Sequence, residues 1–124
     1  MTKKRILVAD DEEDVKEIIA RILETQGYAV VTAYDGLDAV EKIRSEKPDL
    51  VLLDIMMPVL DGYEVCKRIQ QDEQTANIPV VFLSAAADQE AVTRGMNAGA
   101  KDYVVKPFEP KKLLEKVNKV IGPP

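Results

Sequence analysis

Short apolar runs alternate with amphipathic segments along the whole chain. Ile6 to Ala9 predicts a first strand, brief and rich in branched side chains. Val15, Ile18, Ile19, Ile22 and Leu23 then recur at helical spacing. Glu12, Glu13 and Asp14 stand near the start of that helix, where the helix dipole favours acids, and Gly27 stops it. Ala29 to Thr32 predicts a second strand and Asp35-Gly36 a turn. Leu37, Val40 and Ile43 supply the apolar stripe of a second helix. After Pro48-Asp49 comes Leu50-Val51-Leu52-Leu53, a run with no polar face, as expected of a parallel strand covered on both sides. A third helix is predicted over 62–71, a fourth strand over 79–83 and a fourth helix over 88–98, ended by Gly99. Tyr103 to Val105 makes a fifth strand. The last helix carries Leu113, Leu114, Val117, Val120 and Ile121 before Gly122-Pro123-Pro124 breaks it.

Five strand–helix units in sequence imply a doubly wound α/β sandwich, because parallel strands need crossover helices. The expected sheet order is 2-1-3-4-5, the flavodoxin-like (βα)5 arrangement and one of two common choices. With 124 residues, the chain is one domain's worth, taken as 1–124. There is no internal repeat and no linker.

Composition narrows the function classes. The chain has 17 basic and 22 acidic side chains, a net charge of -5, which argues against direct contact with nucleic acid. Lys3-Lys4-Arg5 is expected to be a solvated chain start. Apolar runs fall far short of the roughly 18 residues a membrane span requires, so no membrane partner is expected. The single cysteine, Cys66, fits a reducing cytoplasm and an inert packing role. Histidine is absent, which removes His-based catalysis and His metal sites.

Function in an open α/β sheet gathers beyond the carboxyl ends of the strands. Asp10 and Asp11 follow strand one, Asp54 strand three, Ser84 strand four and Lys106 strand five. The expected order makes these strands neighbours, roughly 4.8 Å apart. Asp10 and Asp11 then stand close enough to Asp54 to share a cation, with Ser84 on its other side. Lys106, two strands from Asp54, must cross roughly 10 Å, which a long side chain can do. Two carboxylates about 4 Å apart repel by about 4 kcal/mol at an effective dielectric near 20. The acidic rim therefore wants protons or a cation, and oxygen ligands suit a hard ion such as Mg²⁺. Asp54 is the natural nucleophile for an aspartyl phosphate, with Lys106 neutralising phosphoryl oxygens and Ser84 donating a hydrogen bond.

Together these pieces resemble the receiver domain of two-component response regulators, of the chemotaxis-regulator kind. Asp10-Asp11, Asp54 with Met56-Met57-Pro58 and Asp61-Gly62, Ser84, the approach Gly99-Ala100-Lys101-Asp102-Tyr103 and Lys106-Pro107-Phe108 carry the resemblance, which covers nearly the whole chain. It implies that Asp54 is phosphorylated by a histidine kinase or a histidine phosphotransfer protein. It implies Mg²⁺, with Mn²⁺ as a substitute, held by Asp10, Asp11, Asp54 and the Met56 carbonyl. It also implies a cis Lys106-Pro107 bond, a form that proline makes accessible. Ser84 and Tyr103 would act as the switch, altering the surface of helix four, strand five and helix five for a downstream effector or an output domain. The only reactions catalysed would be the chain's own phosphorylation and dephosphorylation.

Met56 and Ala86, two residues past Asp54 and Ser84, cannot usefully move a proton, so a slow-to-moderate phosphoryl lifetime is expected. Lys112, Lys116 and Lys119 form a basic stripe expected to be a solvated face. Three other readings compete. An aspartyl-nucleophile phosphohydrolase wants a second Asp where Met56 stands. A flavodoxin-like nucleotide carrier wants a phosphate loop where Asp10 to Asp14 stand. A receiver-like scaffold would bind partners without phosphorylation.

Overall fold

The computed structural model describes residues 3–85 and 89–124, with Ala85 described by its backbone alone. Five strands, β1 (Arg5–Ala9), β2 (Ala29–Ala33), β3 (Leu50–Asp54), β4 (Val80–Ala85) and β5 (Asp102–Lys106), alternate with five helices. These are α1 (Glu13–Thr25), α2 (Gly36–Glu46), α3 (Gly62–Gln70), α4 (Gln89–Asn97) and α5 (Pro110–Ile121). All strand pairs are parallel and the order is β2-β1-β3-β4-β5. The doubly wound sandwich expected from the periodicity is the fold. The residue Ala86 lies outside the described residues.

Strand alternation sorts the core into two layers, because successive side chains leave opposite faces of a sheet. Leu7, Val51 and Leu53 pack with Val40, Ile43, Val65 and Ile69 on the side of α2, α3 and α4. Ile6, Val8, Leu50 and Leu52 pack with Ile19, Leu23, Leu113 and Val117 on the side of α1 and α5. β3 is buried along its whole length, as its unbroken apolar run requires. Gly27 and Gly99 take φ of +106° and +107° just past their helices.

Several local expectations are corrected. Asp35-Gly36 is not a free turn: Asp35 caps α2, its carboxylate accepting the Asp38 N–H at 2.8 Å, which stabilises an orphaned helix donor. Leu37 lies 44% exposed, and Ala39 joins Val40 and Ile43 in the buried stripe instead. The basic start is not merely solvated. Lys4 Nζ donates to the carbonyls of Ile121 at 2.6 Å and Pro123 at 2.8 Å, satisfying acceptors at the end of α5, and Arg5 pairs with Glu46. Strands three, four and five also run further than expected, so Asp54, Ser84 and Lys106 are strand residues rather than the first residues beyond. Parallel pairing continues as long as backbone partners exist, whatever the polarity of the side chain.

α3 is brought hard against the end of β3. The Asp61 carboxylate caps it by accepting the Glu64 N–H at 2.9 Å, and the Gly62 N–H donates to the Ile55 carbonyl at 2.8 Å. A Cβ on Gly62 would stand 2.6 Å from the Asp54 carbonyl oxygen and 2.9 Å from Ile55 Cα. Both are backbone atoms that cannot swing aside. Gly62→Ala is therefore expected to cost about 1–3 kcal/mol, read as a lower urea midpoint; an unchanged midpoint would refute this close approach.

Candidate functional site

Register alone assembles the site. Ala9 pairs with Leu53, so Asp10 and Asp54 come next on adjacent strands. Asp54 pairs with Leu83, which sets Ser84 one step beyond it. Ser84 pairs with Val105 and Ala85 with Lys106, which brings the lysine to the same rim. Asp10, Asp54 and Ser84 are buried there, and four separate chain segments meet as expected.

Lys106 goes further than expected. Its Nζ lies 3.6 Å from Asp54 Oδ1 but 2.7 Å from Asp10 Oδ2, with Glu12 at 4.0 Å. Asp10 is fully buried, and a buried carboxylate is costly without a counter-charge. The lysine therefore sits between the two carboxylates. Asp10 Oδ1 accepts the Glu12 N–H at 2.9 Å, so both of its oxygens are engaged. The Lys106-Pro107 bond is cis, as the resemblance implied.

Asp10, Asp11 and Glu12 bring ligand oxygens within 4.8 Å of one another. Glu12 was expected only to favour the helix dipole. It is the N-cap residue of α1 without a side-chain cap hydrogen bond, and its carboxylate lies 4.0 Å from Lys106 Nζ. An all-oxygen set with two exposed members fits a hard divalent cation such as Mg²⁺. Asp54 is not in that triad; Lys106 links it to Asp10. The Met56 N–H donates to Asp54 Oδ1 at 3.3 Å, while its side chain is 77% exposed.

On the other side of Asp54 a cavity of about 270 Å³ opens, lined by Asp54, Ser84, Tyr63, Glu90 and Arg94 among others. The sequence pattern offered no signal for Tyr63, Glu90 or Arg94. Tyr103 lies half-buried on β5 beneath Lys116, whose Nζ stands 5.3 Å from the ring centroid. The basic stripe on α5 is accordingly more than a solvated face. Lys116 Nζ lies 2.9 Å from Asp102 Oδ1 and Lys119 Nζ 3.5 Å from Asp102 Oδ2. Burial alone would raise the Asp102 pKa, but Lys116, the Tyr103 N–H and Lys119 bring it below the usual carboxylate range.

Charge is balanced unevenly across the rim. Burial first, then the Asp10 charge, push Asp54 up to about 6, against the opposing pull of Lys106 and the Met56 N–H. Burial alone would lower the Lys106 pKa, yet its hydrogen bond to Asp10 and the charges of Asp54, Asp10 and Glu12 hold it above the ordinary lysine value.

The match to known proteins follows this geometry. The family model for the response regulator receiver domain matches residues 6–118. The chain belongs to the response regulator receiver domain family. It is 42% identical over 118 residues to the alkaline phosphatase synthesis transcriptional regulatory protein PhoP of Bacillus subtilis, covering 95% of this chain and 48% of that protein. Among solved structures, the chemotaxis protein CheY4 of Vibrio cholerae superposes with a TM-score of 0.90 at 30% identity, covering 96% of this chain and 99% of that one. The receiver domain of the Francisella response regulator 1452 gives 0.88 at 34% identity, covering 96% and 97%. This receiver domain spans about half the length of the curated relatives it matches. Among the described residues no helix is long and apolar enough to cross a membrane.

The raised pKa of Asp54 has a consequence for stability. The native receiver domain binds this proton more tightly than the unfolded chain, so its stability falls as pH rises from about 4 toward 6, and the cost is fully present above that window. Replacing Asp54 by Asn in chelator-treated protein should add roughly 1–2 kcal/mol at pH 7.5, after allowance for solvent screening. The gain should vanish below about pH 4. Urea titrations at several pH values measure it, and a pH-independent difference would be contrary to this account.

Proposed function

We propose that this receiver domain is a phosphorylation-activated switch in which Asp54 accepts the phosphoryl group. The observation that carries the proposal is the position of the Asp54 carboxylate. It is buried at the end of β3, with the Lys106 ammonium 3.6 Å from one oxygen and a cavity shared with Ser84 on its other side.

In the proposed reaction an Asp54 carboxylate oxygen attacks the phosphorus of a phosphohistidine on a histidine kinase or histidine phosphotransfer protein. An O–P bond forms, the N–P bond breaks, and the imidazole leaves with a proton from solvent. Phosphoryl transfer asks for positioning and charge neutralisation rather than acid–base groups, and the rim supplies both. Lys106 would exchange part of its attachment to Asp10 for phosphoryl oxygens, and the Ser84 hydroxyl would donate to another. Asp10, Asp11 and Glu12, together with Asp54 and the Met56 carbonyl, would hold Mg²⁺ or Mn²⁺. When bound, the cation would offset the charge that builds on the transferring oxygens.

The added charge, roughly -1.5 to -2, would then favour a second packing through contacts that only it can make. Ser84 and Tyr103 are the proposed movers, and the α4–β5–α5 surface the proposed output. Tyr103 suits that role because its ring is half-buried and held by Lys116 at the edge of the sheet. The relatives named as transcriptional regulators run to about twice this length. A downstream effector or an output domain outside these residues, acting in the cytoplasm, completes the proposal. Residues 1–124 form the whole receiver unit in it.

Incubation with acetyl phosphate and Mg²⁺ should add the mass of one phosphoryl group to the intact protein. Asp54→Ala or removal of Mg²⁺ should abolish the gain. No gain in the wild-type protein, or an equal gain in Asp54→Ala, would defeat the proposal. Separately, Mg²⁺ at about 100 times its Kd should stabilise the fold by about 2.7 kcal/mol, and Asp11→Ala should remove most of that rise in melting temperature. An identical rise in the variant would place the ion elsewhere.

A further inference from the structure

The cavity beside Asp54 has a cation of its own. Arg94, on α4, carries its guanidinium carbon 4.2 Å from the centroid of the Tyr63 ring. Both side chains line the 270 Å³ cavity that also contains Asp54 and Ser84. Lys106 approaches Asp54 from the α1 side of the rim through its contact with Asp10, whereas Arg94 comes from α4.

We infer that Arg94 is a third phosphate-binding side chain, after Lys106 and Ser84, which leaves the face of Tyr63 to meet the phosphoryl group on modified Asp54. The inference rests on Asp54 being the phosphorylated residue.

Three features support it. The first is room. Liquid water takes roughly 30 Å³ per molecule, so the cavity holds several waters, and a phosphoryl group can enter it without displacing the backbone.

The second is the order of interaction strengths. A guanidinium over an aromatic ring at an exposed site is held weakly. Its charge-assisted, two-pronged bonds to phosphate are considerably stronger. Arg94 would therefore exchange the ring for a phosphoryl group carrying more charge than the carboxylate it replaces. The ring holds the guanidinium beside the cavity until then, which lowers the ordering cost of capture.

The third is local charge. Glu90 lines the same cavity one helical turn before Arg94, so an arriving phosphoryl group would face a second carboxylate on α4. Arg94 is the cation that offsets it from the same helix.

The consequence for signalling follows from how Tyr63 is anchored. Its hydroxyl donates to the Ala91 carbonyl of α4 at 2.8 Å, and its ring meets Phe82 of β4 edge-on at 5.7 Å. Withdrawal of Arg94 removes one of the contacts between α3 and α4, so α4 would sense the modification through a side chain of its own as well as through Ser84.

Beryllofluoride, a stable mimic of a phosphoryl group on a carboxylate, provides the test in the presence of Mg²⁺. Arg94→Ala should weaken its binding about tenfold, Arg94→Lys should weaken it less, and the neighbouring Thr93→Ala should leave it unchanged. In the wild-type protein the Arg94 Nε–Hε resonance and the Tyr63 ring resonances should both shift on binding. Equal affinity in Arg94→Ala, or beryllofluoride binding with both sets of resonances unmoved, would overturn the inference and leave phosphorylation of Asp54 standing. Failure of the wild-type protein to bind beryllofluoride would overturn both.

Discussion

The ion pair between Lys106 and Asp10, 2.7 Å apart, is what the site depends on. Asp10 is fully buried, and an uncompensated carboxylate there would be costly. The lysine that compensates it belongs to the far edge strand. Its side chain crosses the ends of β4 and β3 to arrive, and on the way it passes within reach of Asp54. A requirement for stability thus holds a cation beside the proposed nucleophile. Because the pair is only partly exposed on the lysine side, a stronger anion near Asp54 can compete for the same ammonium.

That competition connects the fold to the switch. The rim has more carboxylates than cations, and burial, followed by the charge of Asp10, pushes the Asp54 pKa up to about 6. The arrangement is electrostatically unrelaxed, and a divalent ion with a phosphoryl group would relax it. The resulting contacts would draw on Lys106, Ser84 and Arg94, which belong to β5, β4 and α4. Each already has a place in the packing, so recruitment to phosphate is felt by the element that carries it. The two-layer core, filled on both faces of β3, would confine such changes to the rim and the adjacent helices.

Much of the site is legible in the sequence. Asp10, Asp11, Asp54, Ser84 and Lys106 each follow or close an apolar run, and strand ends of a parallel sheet share one side by construction. Less legible were contacts made by elements whose relative orientation no local pattern encodes. Glu12 read as a dipole-favouring acid, but it stands with Asp10 and Asp11. Leu37 read as core because its spacing is helical, yet the helix is rotated so that Ala39 is buried instead. Lys4 and Lys116 read as solvated charges, and they hold the ends of α5 and β5. Tyr63 and Arg94 carried no signal at all.

Periodicity by itself determined the strand–helix alternation, the burial of β3 and the polar residues at the strand ends. Those properties depend on spacing along the chain, since a two-residue or 3.6-residue repeat decides which face a side chain leaves from. Only the tertiary structure decided that Lys106 reaches beyond Asp54 to Asp10, that Asp102 collects two lysines, and that Arg94 lies on Tyr63 beside the cavity. These are contacts between separate elements. Their distances depend on strand register, helix rotation and the demand of buried charge for a partner, none of which any single segment specifies.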